Sequence, residues 1–474
     1  MLYAFLILYA ISTLWAILSI ILYGNRPARS IGWIFVVIVF PILGVILYML
    51  FGINRKKFRF FTLNFNAKRR LYDLNHTSEN IEEFKHKFDS DKFGRIAKLL
   101  ENSSGFPAID GNSVTLLKNG QDTFDLIFKA LHDAKYFIHL QYYILEEGEI
   151  LDKLCALFQK KVEEGVEVRI LYDALGSFGW KDKTIKKLKK TGVHVFPILP
   201  IKLSTILSTL NFRNHRKIIV IDGCVAFAGG VNISDKYISD HSPMGIWDDL
   251  HIKLEGSVVD HLHRVFIKDY YFASNETLLT NKKYLPKQTK AGDSLLQIVC
   301  GGPDLKHLSI LHQYVTMVHS AEESIHIENP YFIPNRMLLE ALKMAVLRGV
   351  KVNIMVPTNS DSKMAKNSMF GNFESLLEVG VNIYTLKDTF SHSKVIVIDK
   401  QIASIGSGNF DYRSFEYNYE VNTLIFDEAI AIEMVEDFEN NIKNCRVLNY
   451  RTFKERPVSD KLLEGMAKIF SPLL

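Results

Sequence analysis

Cysteine is scarce in this chain, with four residues in 474, and none of Cys155, Cys224, Cys300 and Cys445 forms a C-x-x-C pair. That spacing excludes a disulfide framework and a thiolate zinc site, and it suits a reducing compartment. Low-complexity tracts are missing too, and a composition of 48% apolar and 23% charged residues is that of a globular protein rather than a disordered one. Charge of either sign is missing from two early stretches, Leu2 to Tyr23 and Ser30 to Ile53. Each is long enough to cross ~30 Å of hydrocarbon as a helix. Acidic residues are missing again from Arg55 to Tyr72, where Arg55, Lys56, Lys57, Arg59, Lys68, Arg69 and Arg70 gather.

These absences sketch the first domain. The first apolar run has no basic leader and no small-x-small cleavage site, which argues against a removed signal peptide. The short link Gly24 to Arg29 makes the pair a transmembrane helical hairpin. Pro41 and Gly44 would weaken a soluble helix but are tolerated in a membrane one. The basic collar after the second run places the following chain, and the N-terminus, on the cytoplasmic face. The same collar is suited to attract anionic headgroups, although a topology signal alone explains it equally well.

What the chain does have is a duplication. His215-Arg216-Lys217 runs into Ile218 to Ile221 and Asp222, and His392-Ser393-Lys394 runs into Val395 to Ile398 and Asp399. Each segment reads H-x-K-x4-D. Gly229 and Gly406 follow their histidines at the same spacing, as do Asn232 and Asn409. One match would be a weak signal, whereas two with matched context point to a duplicated active-site half. The flanking segments also repeat: Tyr136 to Tyr143 answers Ser324 to Tyr331, and Gly165 to Tyr172 answers Gly349 to Val356. Alternating short β runs and amphipathic helices predict an α/β fold. The expected domains are residues 1–60 (two transmembrane helices and collar), 61–105 (helical linker), 106–285 (first repeat) and 290–474 (second repeat).

The β-branched residues after each motif place His-x-Lys at the entry of a buried strand. Side chains two apart share a face, so His215 projects with Lys217 and His392 with Lys394, opposite in parity to Asp222 and Asp399. Imidazole beside ammonium suits an anionic substrate, with Lys neutralising phosphate oxygens while His attacks or moves a proton. Lysine is a poor metal ligand, so no metal and no cofactor are expected. Gly229, Gly230, Gly406 and Ser407 allow close backbone approach. Asn232 and Asn409 offer amides to the same oxygens as Lys217 and Lys394. Asp249 and Glu420 are candidate orienters of the imidazoles, with Asp248 competing for the first role. Asp222 and Asp399 complete the catalytic set by motif, and a supporting bond to backbone is an equal reading. His139 and His326 occupy equivalent strand positions whose role stays open.

The double H-x-K-x4-D, Arg213 to Ile218, Gly229-Gly-Val-Asn-Ile233, the two leading apolar runs and the terminal Phe470 to Leu474 together resemble the bacterial cardiolipin synthases of the phospholipase D superfamily. The resemblance implies two α/β repeats about a pseudo-twofold axis, with both histidines in one cleft. It also implies a metal-free two-step exchange between two phosphatidylglycerol molecules through a phosphatidyl-histidine, most readily on His215. The implied setting is a bacterial inner membrane, with anionic lipid and no nucleic acid as partner; oligomeric state is not implied. Trp247-Asp248-Asp249 departs from the Trp-Arg-Asp frequent in that family. A phospholipase D-type hydrolase or nuclease is the alternative, and a silent membrane scaffold is disfavoured because both motifs keep His and Lys. The insertion Leu199 to Asn211, with Ile201, Leu203, Ile206, Leu207 and Leu210 at helical spacing, is placed to meet acyl chains or to pack internally.

Overall fold

A computed structural model describes residues 2–24, 27–40, 42–52, 82–86, 88, 91–200, 211–239, 244–245, 247–279, 281–387 and 389–473. The basic collar and the insertion at 201–210 lie outside the described residues. The chain divides into two units, residues 1–73 with 200–213, and residues 74–199 with 214–474.

In the first unit Leu2–Tyr23 is one helix without a charged residue. The side chains of Leu2, Ala4, Phe5 and Leu6 are not among those described, and over the described residues no helix is long and apolar enough to cross a membrane. The second run departs from expectation. Instead of one helix it forms Pro27–Val39, a short helix Leu43–Leu47 and a π-helical turn Tyr48–Gly52. Ile42 stands between the first two pieces with φ of 65°, a conformation no helix can contain for a β-branched residue. Ala16, Ile20, Val37, Val45 and Tyr48 pack together, and Ser19 Oγ lies 2.8 Å from the Tyr48 hydroxyl.

The second unit holds the duplicated fold. Of the expected helical linker over 61–105, the described part is a turn at Glu82–Phe84 and a helix Lys92–Ser104, capped by Asp91. The first half contributes β1 (Ile109–Leu117), β2 (Phe137–Tyr142), β3 (Glu167–Asp173), β4 (His194–Ile198), β5 (Ile218–Ile221), β6 (Val225–Gly229), β7 (Trp247–Asp248) and β8 (His251–Glu255). The second contributes β9 (Ser294–Gly301), β10 (Ser324–Glu328), β11 (Lys351–Pro357), β12 (Asn382–Leu386), β13 (Phe390–Ser391), β14 (Val395–Ile398), β15 (Ile402–Gly406), β16 (Glu420–Phe426) and β17 (Cys445–Val447). Fifteen of these strands join one sheet in the order β17-β12-β11-β10-β14-β15-β16-β9-β1-β8-β6-β5-β2-β3-β4. The antiparallel β1–β9 pair joins the halves, and the short parallel pair β7–β13 links them again.

The duplication extends to register. In the first half β2, β3 and β4 are parallel, and β5 runs antiparallel to β2 with Gln141 opposite Ile218. In the second half β10, β11 and β12 are parallel, and β14 runs antiparallel to β10 with Glu328 opposite Val395. Crossover helices cover the faces of these parallel strands, so every residue of β5 and of β14 is buried. Helix Val258–Ser274 packs on the first half and Glu428–Ile442 on the second. Both motif strands therefore sit inside the sheet, one in each half, on either side of the β1–β9 junction.

Candidate active site

His215 and Lys217 enter β5, and His392 and Lys394 enter β14. All four side chains are buried, Lys217 and Lys394 to within 1% of completely. Alternation along the strand projects each His-Lys pair to one face, while Arg216 and Ser393 turn to the other. The backbone at each entry is fixed from across the seam: the His215 N–H donates to the Tyr419 carbonyl at 2.9 Å, and the His392 N–H donates to the Asp248 carbonyl at 2.6 Å.

The orienting carboxylates cross over. His215 Nδ1 lies 3.1 Å from Glu420 Oε2 and 3.0 Å from the Ser407 carbonyl, both contributed by the second half. His392 Nδ1 lies 2.7 Å from Asp249 Oδ2, contributed by the first. Each imidazole thus takes its carboxylate from the other repeat. Two acceptors on His215 Nδ1 require the proton there, which leaves Nε2 with its lone pair. Glu420 is itself held, accepting from the Ser407 hydroxyl at 2.6 Å and the Ser414 hydroxyl at 2.9 Å. Lys394 Nζ stands 2.7 Å from His392 Nδ1 and 3.4 Å from Asp249 Oδ2. Lys217 Nζ donates to the His215 carbonyl at 2.7 Å and sits over the Tyr143 ring, which also meets His215 edge-on.

The electrostatics follow from two ammoniums sharing a dry cleft. Burial, with Lys394 close by, lowers the Lys217 pKa to about 7. Lys394 is lowered as well by burial, against the pull of Asp249. Burial lowers His215, with Lys217 and Lys394 opposing Glu420, and lowers His392 further, with Lys394, Lys217 and His215 all adding to the effect. Burial raises Asp249 to about 6 although Lys394 and Lys217 draw it down. Glu420 falls below its usual range, because His215 and Lys217 outweigh its burial. Lys217 feels Lys394, and His392 feels Lys217 and His215, so the four side chains form one site. An anion placed among them would relieve the repulsion between the lysines.

The remaining expected residues divide. Gly229 has φ of 150°, and a Cβ there would come 2.6 Å from His251 Cα. A Cβ on Gly230 would meet Asp249 Oδ1 at 1.9 Å, and one on Gly406 would meet Asn422 Oδ1 at 2.2 Å. These glycines give room to the orienting strands rather than to a ligand. Asn232 Oδ1 accepts from the Ile144 N–H at 3.3 Å, and its amide nitrogen lies 3.4 Å from the Tyr237 hydroxyl. Asn409 Oδ1 is buried and has no hydrogen-bond partner among the described residues.

Asp222 and Asp399 stand elsewhere. Four strand residues lie between each and its Lys, a separation of about 17 Å along the strand. Asp222 accepts from the N–H groups of Lys135, Tyr136 and Phe137 at 2.8, 2.7 and 2.8 Å. Asp399 Oδ1 accepts from those of Glu323 and Ser324 at 2.8 and 3.0 Å, and its other oxygen accepts from Lys92 Nζ at 3.2 Å. Both carboxylates are thus spent on the start of the neighbouring strand, at φ of 53° and 51° in the turn that follows the motif. Both thus hold the far end of the motif strand to backbone N–H groups, the geometry of the supporting alternative.

A protein-family model described as the cardiolipin synthase, phospholipase D-like domain matches residues 127–270 and 314–442. The chain belongs to this family. A model described as the phospholipase D-nuclease N-terminal region matches residues 11–52. A curated cardiolipin synthase from Geobacillus sp. (strain WCH70) is 36% identical over 473 residues, covering 99% of this chain and 93% of that protein. A probable cardiolipin synthase from Bacillus subtilis (strain 168) is 35% identical, covering 100% of this chain and 94% of that protein. Among solved structures, the phosphatidylserine synthase of Haemophilus influenzae Rd KW20 aligns with a TM-score of 0.60 at 18% identity, over 81% of this chain and all of that one. That likeness concerns the phospholipase D-like fold.

Within this family member, reading the sequence overlooked Ser414 and Tyr143 as parts of the site. Tyr143 lay in a strand segment already singled out by repetition, but nothing in its type announced the His215 contact. Ser414 reaches Glu420 only through the turn after Asn409, which spacing cannot foretell.

Proposed function

We propose that this protein makes cardiolipin by phosphatidyl transfer between two phosphatidylglycerol molecules. The observation that carries the reading is the pair of imidazoles, each with Nδ1 held by a carboxylate of the other repeat, flanking two buried lysines. His215 Nε2 attacks phosphorus, the P–N bond forms and the bond from phosphorus to the glycerol oxygen breaks. Glu420 stabilises the imidazolium that results. His392 gives its proton to the departing glycerol oxygen, then takes one from a hydroxyl of the second phosphatidylglycerol, which attacks phosphorus and releases His215. Burial first, and then the charges of Lys394 and Lys217, hold His392 neutral; it can act as the acid once a phosphate offsets those charges. Lys217, Lys394, Asn232 and Asn409 hold the phosphate oxygens in this reading.

A synthase must favour a lipid hydroxyl over ~55 M water, which requires a cleft that excludes solvent. Burial of all four motif side chains supports that requirement. The apolar N-terminal helices, read as a membrane anchor with the repeats on the cytoplasmic side of a bacterial inner membrane, would bring the cleft to its lipid. In this reading residues 1–60 form the anchor, 61–105 a helical linker, and 106–285 and 290–474 the two repeats.

Purified protein with phosphatidylglycerol vesicles and EDTA tests this. Cardiolipin and free glycerol are the expected products, and His215→Ala or His392→Ala abolishes both. Phosphatidic acid in place of cardiolipin would overturn the reading in favour of hydrolysis.

A further inference from the structure

The two halves treat the back of their motif strands differently. In the first half Gln141, opposite Ile218 in the sheet, donates through Nε2 to Asn214 Oδ1 at 2.9 Å, the residue just before His215. Arg216 fills the space behind β5 and donates to Asp269 Oδ2 at 2.6 Å, which also accepts from Gln141 at 2.7 Å. In the second half the same register position is Glu328, opposite Val395, and it is hydrogen-bonded to the hydroxyl of Ser391, the residue just before His392. The contact between this strand position and the residue preceding the histidine is therefore made twice in one chain. Where Arg216 stands in the first half, the second has Ser393, and a cleft of about 180 Å³ opens beside it.

We propose that Glu328 is a positioning residue for His392, holding Ser391 and with it the β7–β13 bridge so that Asp249 stays aligned with the imidazole. Ser391 pairs with Asp248 in that bridge, the Asp248 carbonyl accepts the His392 N–H, and Asp249 follows directly in sequence. A shift of β13 would move both bonds to His392 at once. The inference rests on the phosphatidyl-transfer reading only for its assay.

The charge environment makes the contact sensitive to protonation. Asp248 of β7 and Asp437 of the helix Glu428–Ile442 line the same cleft as Glu328, with His326 of β10 and Lys118 at the end of β1. Lys118 is engaged by Glu433 and Asp437 at 2.7 Å each, and Cys445 of β17 also feels the Glu328 charge. Asp249 adds a further negative charge from the active-site side. Burial and the neighbouring Asp248 raise Glu328 to about 7, and burial with Asp249 raises Asp248 to about 6. Ser391 donates to this carboxylate, so ionisation does not break the bond; as pH climbs through about 7 the new charge on Glu328 instead sets it against Asp248 and Asp249 and strains the β7–β13 bridge. The first half, with a neutral amide and an arginine at these places, has no such dependence.

Glu328→Gln gives the second half the amide of the first and removes the titration. With phosphatidylglycerol vesicles and wild-type protein assayed alongside, Glu328→Gln is expected to keep kcat within about twofold at pH 6 and to lose less kcat than wild type above pH 7. Glu328→Ala is expected to lower kcat by about tenfold or more, with KM within about twofold, because alignment rather than lipid binding is impaired. Thermal melting of each variant accompanies the assay, and if Glu328→Ala does not fold, the Glu328→Gln profile decides. A Glu328→Gln profile superimposable on wild type overturns the proposal, as does a folded Glu328→Ala with wild-type kcat. Wild-type protein that forms no cardiolipin would instead overturn the functional reading.

Discussion

His215 and His392 differ in what surrounds Nδ1, and that difference matches the roles proposed for them. Around His215 the neighbours are acceptors only, Glu420 and the Ser407 carbonyl, so one tautomer is enforced. Around His392 an acceptor and the Lys394 ammonium compete, a setting suited to a proton that comes and goes. Glu420→Gln should lower kcat by about 100-fold or more, within the range general acid–base support supplies. Combined with His215→Ala it should cost little beyond His215→Ala alone, because both act through one imidazole; additive losses in vesicle assays would contradict the pairing. Lys217 offers a pH signature. Its charge is present below about 7 and lost above it, so KM for phosphatidylglycerol should rise from pH 6 to pH 8. Bound phosphate raises the apparent midpoint, and Lys217→Gln should flatten the dependence. A KM that stays constant in wild type across this range would count against Lys217 as the phosphate-holding group.

At the scale of elements, the motif is a strand with chemistry at one end and an anchor at the other. The tight turn after β5 and after β14 puts an Asp in the left-handed region, where its carboxylate faces the first N–H groups of β2 or β10. Asp222→Ala and Asp399→Ala each strand several backbone donors, so each should destabilise the protein by about 2–4 kcal/mol in chemical denaturation. Activity per folded molecule should stay near wild type, and a folded Asp222→Ala with no activity would return that residue to the catalytic set. Burial raises Asp399, but the bonds from Glu323, Ser324 and Glu322 outweigh it and hold the carboxyl below its ordinary 3.8. Its contribution is therefore complete above that value and is lost as pH falls through the lower, folded-state pKa. Spacing made the existence of both strands legible, since β-branched runs bounded by turn residues have few other outcomes. It did not make the Asp role legible, because a carboxylate serves acid–base chemistry and backbone capping equally well. The second apolar run was misjudged for a related reason: apolarity reports what surrounds a segment, not whether its helix is continuous.

Across the whole molecule, fifteen strands in one sheet carry the two motifs to a shared seam, and each motif is completed by the other half. A site built this way needs both halves in one fold. Protein carrying His215→Ala mixed with protein carrying His392→Ala should therefore recover no cardiolipin formation, as measured by lipid chromatography. Recovery would mean that halves exchange between chains.

The sequence by itself determined the candidate reaction centre: duplicated His-x-Lys, the parity that sets each pair on one face, and an α/β repeat on each side. Those follow from local rules, the two-residue period of a strand and the affinity of imidazole and ammonium for phosphate. Only the tertiary structure decided that Glu420 serves His215 and Asp249 serves His392, that Asp222 and Asp399 work from the far end, and that Glu328 stands where Gln141 stands in the other half. Each of these depends on which strands meet across the sheet, and a contact such as that of His215 with Glu420, 205 positions apart, leaves no mark in local spacing.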